Sequence, residues 1–259
     1  WYYNLQHMAK QQGELMDRLL FFLNLDTATG WSAVWQKIYD AIYTNFIFED
    51  RYQWVIGGLK NTLILSLMAG LIGIVIGALV TFCKLSKIKP LNWLASVYLD
   101  IIRGTPSVTQ LLVIYFVIFK AVRIDPILVG SIAFGINSGA YVAEIIRAGI
   151  LSIDKGQMEA GRSLGLTQVQ TMRYIIFPQA IKNILPALAN EFIVLIKETS
   201  IAGYIGIMEL TKGVMVIQSR TFDPSIPLLT SAVVYYIIIK TLTIIFGVFE
   251  KKMRKADVR

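Results

Sequence analysis

Residues 63–83 run for 21 positions without an ionisable side chain apart from the thiol of Cys83. About 18 consecutive apolar residues are enough for a helix to cross a bilayer, so this run commits the chain to a membrane. Only 16% of the residues are charged, against about a quarter in a soluble domain. Five spanning helices are expected, over 55–83, 94–121, 126–150, 180–204 and 225–249. Only the first, through its run 63–83, is a clean hydropathy signal. The others carry Asp100, Arg103, Glu144, Glu191 or Lys240, and such residues face protein or a water-filled cavity rather than lipid. The second span is expected to break at Gly104-Thr105-Pro106, because proline removes a backbone donor.

The net charge of +8 reads as topology rather than as a nucleic-acid surface. Lys84, Lys87, Lys89, Arg147, Lys155, Arg162, Arg173 and Lys182 fall on one side of the spans, with the tail Lys251, Lys252, Arg254, Lys255 and Arg259. Only Lys120, Arg123, Lys212 and Arg220 lie near the other side. Positive residues mark the cytoplasmic face, so the N-terminus is expected outside and the C-terminus inside. The lone Cys83 and lone His7 leave no intrachain disulfide and no histidine-cluster metal site. With one histidine and one cysteine, an intramembrane enzyme has too few catalytic groups. No G-x-x-x-x-G-K-[ST] phosphate loop is present, so the chain does not itself hydrolyse ATP. The sequence opens on Trp1 rather than Met, and further residues are expected upstream.

Residues 1–50 are different in kind. Trp31, Val34, Trp35, Ile38, Tyr39, Ile42, Tyr43 and Phe46 recur at three- and four-residue steps and make one aromatic helical face. Two placements fit: a helix along the outer membrane surface, where Trp and Tyr favour the headgroup layer, or a helix packed on the first span. Residues 15–25 are a second candidate helix. The segment is read as an extracytoplasmic, interfacial extension of a spanning domain over 51–259.

The connection 152–179 is polar and regular. It holds Glu159-Ala160-Gly161-Arg162-Ser163-Leu164-Gly165 and then Ile175-Ile176-Phe177-Pro178. Here the sequence resembles the permease subunits of ABC-type importers. Their cytoplasmic loop reads Glu-Ala-Ala, three residues, Gly, nine residues, Ile, any residue, Leu-Pro. The spacing is kept, with Gly161 in place of the second Ala and Phe177 in place of Leu. From Gly58 to Glu250 the likeness is to the polar amino acid branch. It is carried by Gly58-Leu59-Lys60-Asn61-Thr62, Arg103-Gly104-Thr105-Pro106 with Gln110, Gly139-Ala140-Tyr141, Asn190-Glu191-Phe192 and Lys197-Glu198-Thr199-Ser200. The branch more often has Asp where Glu198 stands and apolar residues where Ser107 and Thr109 stand.

The resemblance implies an all-α membrane protein of the type I ABC importer permease kind, multi-pass in a bacterial cytoplasmic membrane. Its loop forms a short coupling helix docked on an ATP-binding subunit, with Glu159, Ala160, Gly161, Gly165 and Pro178 as the coupling residues. It implies two such subunits holding ATP and Mg, a second permease subunit (an identical copy or a paralogue), and an extracytoplasmic substrate-binding protein. No cofactor is expected in this chain, and its other contacts are with membrane lipid rather than nucleic acid. Solute would move inward by alternating access. Physically, Ala160 and Gly161 permit close backbone approach, Gly165 ends the helix, and Pro178 starts the next span. Glu159 is expected in the first turn, where the helix dipole favours a negative charge.

Polar residues inside spans are costly, so their positions are informative. Asn137, Tyr141 and Glu144 share one face of the third span, and Glu191 and Glu198 share one face of the fourth. Ser107 and Gln110 follow the break after Gly104. One reading lets these seven line a water-accessible cavity whose carboxylates suit an α-ammonium or a basic side chain. The other is structural: Glu144 pairs with Arg147, and Lys197 or Lys240 neutralises Glu198 or Glu191. Two rival functions stand beside amino acid import: an ABC permease for an opine or organic cation, and an ion-coupled secondary transporter, whose usual inverted repeat is not visible.

Overall fold

The computed structural model describes residues 31–255, and these form helices joined by short links. Helix α1 (Trp31–Ile42) passes through a π-helical turn (Tyr43–Ile47) and a 3-10 turn (Phe48–Asp50) into α2, Tyr52–Leu85. The candidate helix over 15–25 lies outside the described residues. At 34 residues, α2 is about 50 Å long, well beyond the roughly 30 Å of a hydrocarbon core. A tight link then reverses the chain into α3, Lys89–Gly104, with proline in its first turn. The Asn92 amide donates to the Lys84 carbonyl at 2.5 Å, and the Lys84 ammonium donates to the Ser96 hydroxyl. Both bonds lock the α2–α3 hairpin.

The expected break is present. Helix α4 (Ser107–Val113) continues as a π turn (Ile114–Ile118), and its axis is bent 108° from that of α3. Next comes α5, Pro126–Leu151, capped by Asp125, which accepts from the Ile127 N–H at 2.7 Å. The loop contributes α6 (Lys155–Ser163), α7 (Gln168–Thr171) and a π turn (Met172–Ile176). Helix α8 (Phe177–Glu198) runs on as a 3-10 turn (Thr199–Ile205), followed by α9 (Leu210–Thr221) and α10 (Ser225–Lys255).

Helix α5 is the centre of the bundle. Within its most apolar stretch 67% of residues are buried, against 28% for α2 and none for α10. It lies parallel to α2 in a register set by small residues. Gly73 faces Ser138, Gly77 faces Val142, Gly135 faces Ile72 and Gly139 faces Ile76. A Cβ on Gly77 would sit 2.5 Å from Val142 Cγ1, so only hydrogen fits there. Thr81 completes the seam by donating to the Ala143 carbonyl at 3.0 Å. Leu65 and Ala69 of α2, Leu111 and Ile114 of the broken span, Phe134 of α5 and Leu195 of α8 close one buried core. Gly104, Thr105 and Pro106 at the break are themselves exposed, while the helix that follows them is anchored in this core through Leu111 and Ile114.

Among the described residues, α2, α5 and α10 are each long and apolar enough to cross a membrane alone. The α3–α4 and α8–α9 pairs meet that test only as bent pairs, the second bent by 50°. Helices α2, α5 and α10 overlie the expected segments 55–83, 126–150 and 225–249, whereas the bent pairs run over 89–118 and 168–221 against the expected 94–121 and 180–204. Helix α9 was not expected. Glu209, 1% exposed, caps it by accepting from the N–H groups of Thr211 and Lys212, each at 2.7 Å. Asn61 donates to the Met208 carbonyl at 2.8 Å, and Thr62 accepts from the Leu210 N–H at 3.1 Å. The start of α9 is thus fixed against α2.

Candidate translocation site and coupling loop

The seven expected site residues fall into separate groups around α5. Gln110 sits one turn into α4 and closes the break. Its amide donates to the Ile102 carbonyl at 2.7 Å, the Thr105 carbonyl at 3.1 Å and the Thr105 hydroxyl at 2.7 Å. Its oxygen accepts from the Asn137 amide at 2.9 Å. Asn137 is 4% exposed, and its own carbonyl oxygen is buried without a partner in the described protein. Ser107, half-buried, opens α4. One turn along α5, the exposed ring of Tyr141 lies under the Arg103 guanidinium, 5.9 Å from the ring centroid. Glu144 is engaged by Arg147 in a two-pronged pair, with its closest contact at 2.7 Å.

Glu191 lies on the other flank. Its carboxylate accepts from the Ser138 hydroxyl at 3.0 Å. Both line, with Glu250, an otherwise apolar cavity of about 420 Å³ whose walls include Leu67, Ile74, Val142, Phe192 and Phe246. Asn137 and Ser138 are consecutive, so α5 sends one amide towards the break and one hydroxyl towards α8. Glu198 ends α8, half-buried, two turns beyond Glu191. Of the ion pairs weighed from the sequence, Glu144–Arg147 is present. Among the described residues, neither Glu191 nor Glu198 has a lysine within ion-pair distance of 4.0 Å, although the Lys197 charge still acts on Glu198 from farther away. Sequence reasoning missed Ser138 and Thr105. Ser138 sits one position off the Asn137–Tyr141–Glu144 stripe, and pairing it with Glu191 requires the packing of α5 on α8.

The loop is a compact helical pair. Asp154 caps α6 by accepting from the Gly156 N–H at 2.6 Å. Glu159 is the fifth residue of α6, past the first turn, so the expected dipole role is corrected: Asp154 holds the N-terminal position instead. Gly161 is buried, and a Cβ there would meet Thr171 Cγ2 at 2.5 Å. The smallness of Gly161 thus serves the packing of α6 on the following segment. Ala160, by contrast, is exposed. Gly165 adopts φ +85°, and the Leu166 N–H returns to the Gly161 carbonyl at 3.1 Å, a glycine-terminated helix end. Thr167 and Gln170 then exchange hydrogen bonds of 3.2 and 2.8 Å in a capping box that starts α7. Pro178 occupies the first turn of α8, as expected. At the base, Asn183 donates to the Ser152 hydroxyl at 2.9 Å, tying α8 to the end of α5.

Residues 71–255 match the family of binding-protein-dependent transport system inner membrane components. The chain belongs to that family. It is an ABC permease, an integral membrane protein. It is 40% identical over 208 residues to a putative glutamine transport system permease of Rickettsia bellii (strain RML369-C), covering 80% of this chain and 95% of the relative. It is 37% identical over 206 residues to the arginine transport system permease of Bacillus subtilis (strain 168), covering 79% and 94%. With the L-cystine transport system permease of the same organism it shares 36% over 234 residues, 89% and 94% of the two chains. A solved amino acid ABC transporter with histidines superposes with a TM-score of 0.75 at 45% identity, over 80% of this chain and 98% of that one. An inward-facing methionine ABC transporter shares the fold, with a TM-score of 0.63 at 18% identity over 77% and 96%. The resemblance carried by the 159–178 motif is therefore confirmed at the level of family.

Proposed function

We propose that this permease moves polar amino acids, basic ones among them, into the cytoplasm by ATP-driven alternating access. The observation that carries the reading is the α6–α7 unit. It is held stiffly by its own caps, clamped at its base to α5 and α8, and it presents Ala160, Leu164, Val169 and Tyr174 outward. An exposed apolar surface on a rigid unit suits docking by a separate protein. In this reading one of two ATP-binding subunits grips it through Ala160 and its neighbours, with Glu159, Gly161, Gly165 and Pro178 shaping the grip. Those subunits, and not this chain, hold ATP and Mg. The N-terminus lies outside, the C-terminus inside, and five crossings of a bacterial inner membrane form the domain over 51–259. A second permease copy, taken here as identical, pairs with it, and a substrate-binding protein delivers solute from outside.

Relatives are named for glutamine, arginine and cystine transport, which supports an amino acid as cargo. Ser107, Gln110, Asn137 and Tyr141 would form the polar wall, and Glu191 and Glu198 would supply negative charge for an α-ammonium or basic side chain, joined by Glu144 only where solute displaces Arg147 from it. Closing the ATPase dimer would move α6–α7 and, through the Asn183–Ser152 clamp, the helices that carry these residues. The test is uptake by vesicles containing the permease and its ATP-binding subunits. Uptake that needs ATP and falls on Glu191→Gln is expected. Uptake without ATPase subunits would overturn the mechanism, and unchanged uptake and preference in Glu191→Gln would remove that residue from the pathway.

A further inference from the structure

The segment before α2 lies outside the residues that match the family, 71–255, yet it is bound to the bundle by buried groups. Asn45 is 2% exposed. Its amide donates to the Ala41 carbonyl at 2.9 Å and to Asp223 Oδ2 at 3.1 Å. The other Asp223 oxygen accepts from the Ser225 N–H at 2.9 Å, at the start of α10. Arg51, also buried, donates to the Thr44 carbonyl at 2.8 Å and to Glu49 at 3.0 Å, with its guanidinium 5.0 Å from the centroid of the Phe48 ring. Between them Glu49 and Asp50 hold left-handed backbone, φ 55° and 53°. A flexible tail would not maintain two such residues; the buried Arg51 and Asn45 contacts fix this corner.

Against that fixed corner, α1 exposes its aromatic side. Trp35, Tyr39 and Ile42 lie on one face and are 66%, 60% and 47% exposed. Gln36 and Asp40 occupy the other, with the Gln36 amide donating to Asp40 at 3.0 Å. Chain direction places this corner at the end of α2 and α5 opposite the coupling loop. The exposed face continues into the outward surface of α2 through Tyr52, Ile56, Leu63 and Leu67, the surface a spanning helix turns to lipid. An amphipathic helix whose Trp and Tyr begin where that apolar surface ends has the chemistry of the headgroup boundary.

We propose that residues 31–50 form a membrane-surface strap: the aromatic face of α1 lies in the lipid headgroup layer, and the buried Asn45–Asp223 bond transmits its position to the start of α10. The occupant of the face is lipid, and the bond makes the surface helix and the α9–α10 turn one mechanical unit. This goes beyond the transport reading, and its test uses neither ATP nor solute, so either idea can fail without the other.

Nitroxide labels are placed at Tyr39→Cys and Gln36→Cys in the full chain carrying Cys83→Ser, reconstituted in phosphatidylethanolamine–phosphatidylglycerol vesicles. The ratio of oxygen to water-soluble nickel-chelate accessibility is expected to be several-fold higher at position 39 than at 36. Equal ratios would overturn the lipid assignment, and so would a label at 39 shielded from both reagents, which would mean that protein covers the face. For the link, Asn45→Ala is expected to loosen a label at Phe222→Cys while one at Leu91→Cys, at the opposite end, keeps its spectrum. Should Asn45→Ala fail to insert, Asp223→Ala is read in the same way. A label at 222 indifferent to the loss of the bond would overturn the coupling.

Discussion

The side chains of Asn137 and Gln110 meet at 2.9 Å, so the central helix α5 is bonded to the residue that closes the break between α3 and α4. Pro106 has no N–H, and the carbonyls of Ile102 and Thr105 lose their helical partners there. Gln110 supplies the replacement donors. Gln110→Ala is therefore expected to leave two carbonyls and the Asn137 amide without their bonds, at a cost of about 1–3 kcal/mol for the buried Asn137 amide and less for the part-buried Ile102 and exposed Thr105 carbonyls. Thermal unfolding of the purified permease should show the loss as a lower Tm. Gln110→Glu, which keeps an acceptor for Asn137 but brings no donors, should recover little of it.

The break itself was legible, because proline states its own chemistry in the sequence. So was α2, whose charge-free run admits one interpretation. Helix α9 was not. It is short and carries Lys212, Gln218 and Arg220, so nothing in its composition separates it from a loop. Its place is set by contacts remote in sequence: Asn61 and Thr62 bonding to the residues that begin it, and Gly213 lying against the Trp54 carbonyl. The Ser138–Glu191 pair was hidden for a related reason. Periodicity sorts residues by helix face, but it does not say which neighbour each face meets. Spacing in the 152–179 connection pointed to the family, while the cap at Asp154 and the inward role of Gly161 emerged only from its folded form.

The α2–α5 seam permits a paired test of packing. Gly77 has no room for a side chain, whereas nothing lies within 4 Å of a Cβ added to Gly57 on the same helix. Gly77→Val is expected to destabilise by about 1–3 kcal/mol through overpacking. Gly57→Ala, free of any clash, should be neutral or stabilising by up to about 1 kcal/mol from helix propensity. Unfolding of both variants in detergent by denaturant titration would compare them directly. Equal midpoints would remove the small-residue register as the determinant of the pair.

Gly161 stands where the family motif has alanine, and its surroundings predict what restoring that alanine does. The helix gains about 1 kcal/mol of propensity, but the new methyl would meet Thr171 Cγ2 at 2.5 Å and Ile175 Cδ1 at 3.0 Å. Thr171 is fully buried and donates to the Thr167 carbonyl at 3.0 Å, so it has little freedom to move. Gly161→Ala alone should therefore lower solute-stimulated ATPase activity in the assembled transporter. Adding Thr171→Ser removes the closest clash but keeps the hydroxyl, which a Cβ would meet at 2.9 Å, so the double variant should regain part of the activity. Failure of that rescue would mean that the alanine methyl meets the partner subunit rather than Thr171.

Gly165 tests the stiffness of the same unit from its other end. Its φ of +85° lies where a Cβ crowds the backbone, and a non-glycine residue there costs about 1–2 kcal/mol. No atom lies within 4 Å of the position a Cβ would take, so conformation alone is at stake. Gly165→Ala should leave the spans folded, since α5 and α8 are held to each other through Asn183 and Ser152 below the loop. What it should disturb is the turn from α6 into the Thr167 cap, and with it the angle at which Ala160 and Leu164 are presented. The expected result is an unchanged unfolding midpoint for the bundle with reduced ATP-dependent uptake. Gly165→Asn, which tolerates left-handed backbone better than alanine, should fall between the two. If alanine and asparagine variants transported equally to the parent, the turn would not govern how the loop meets its partner.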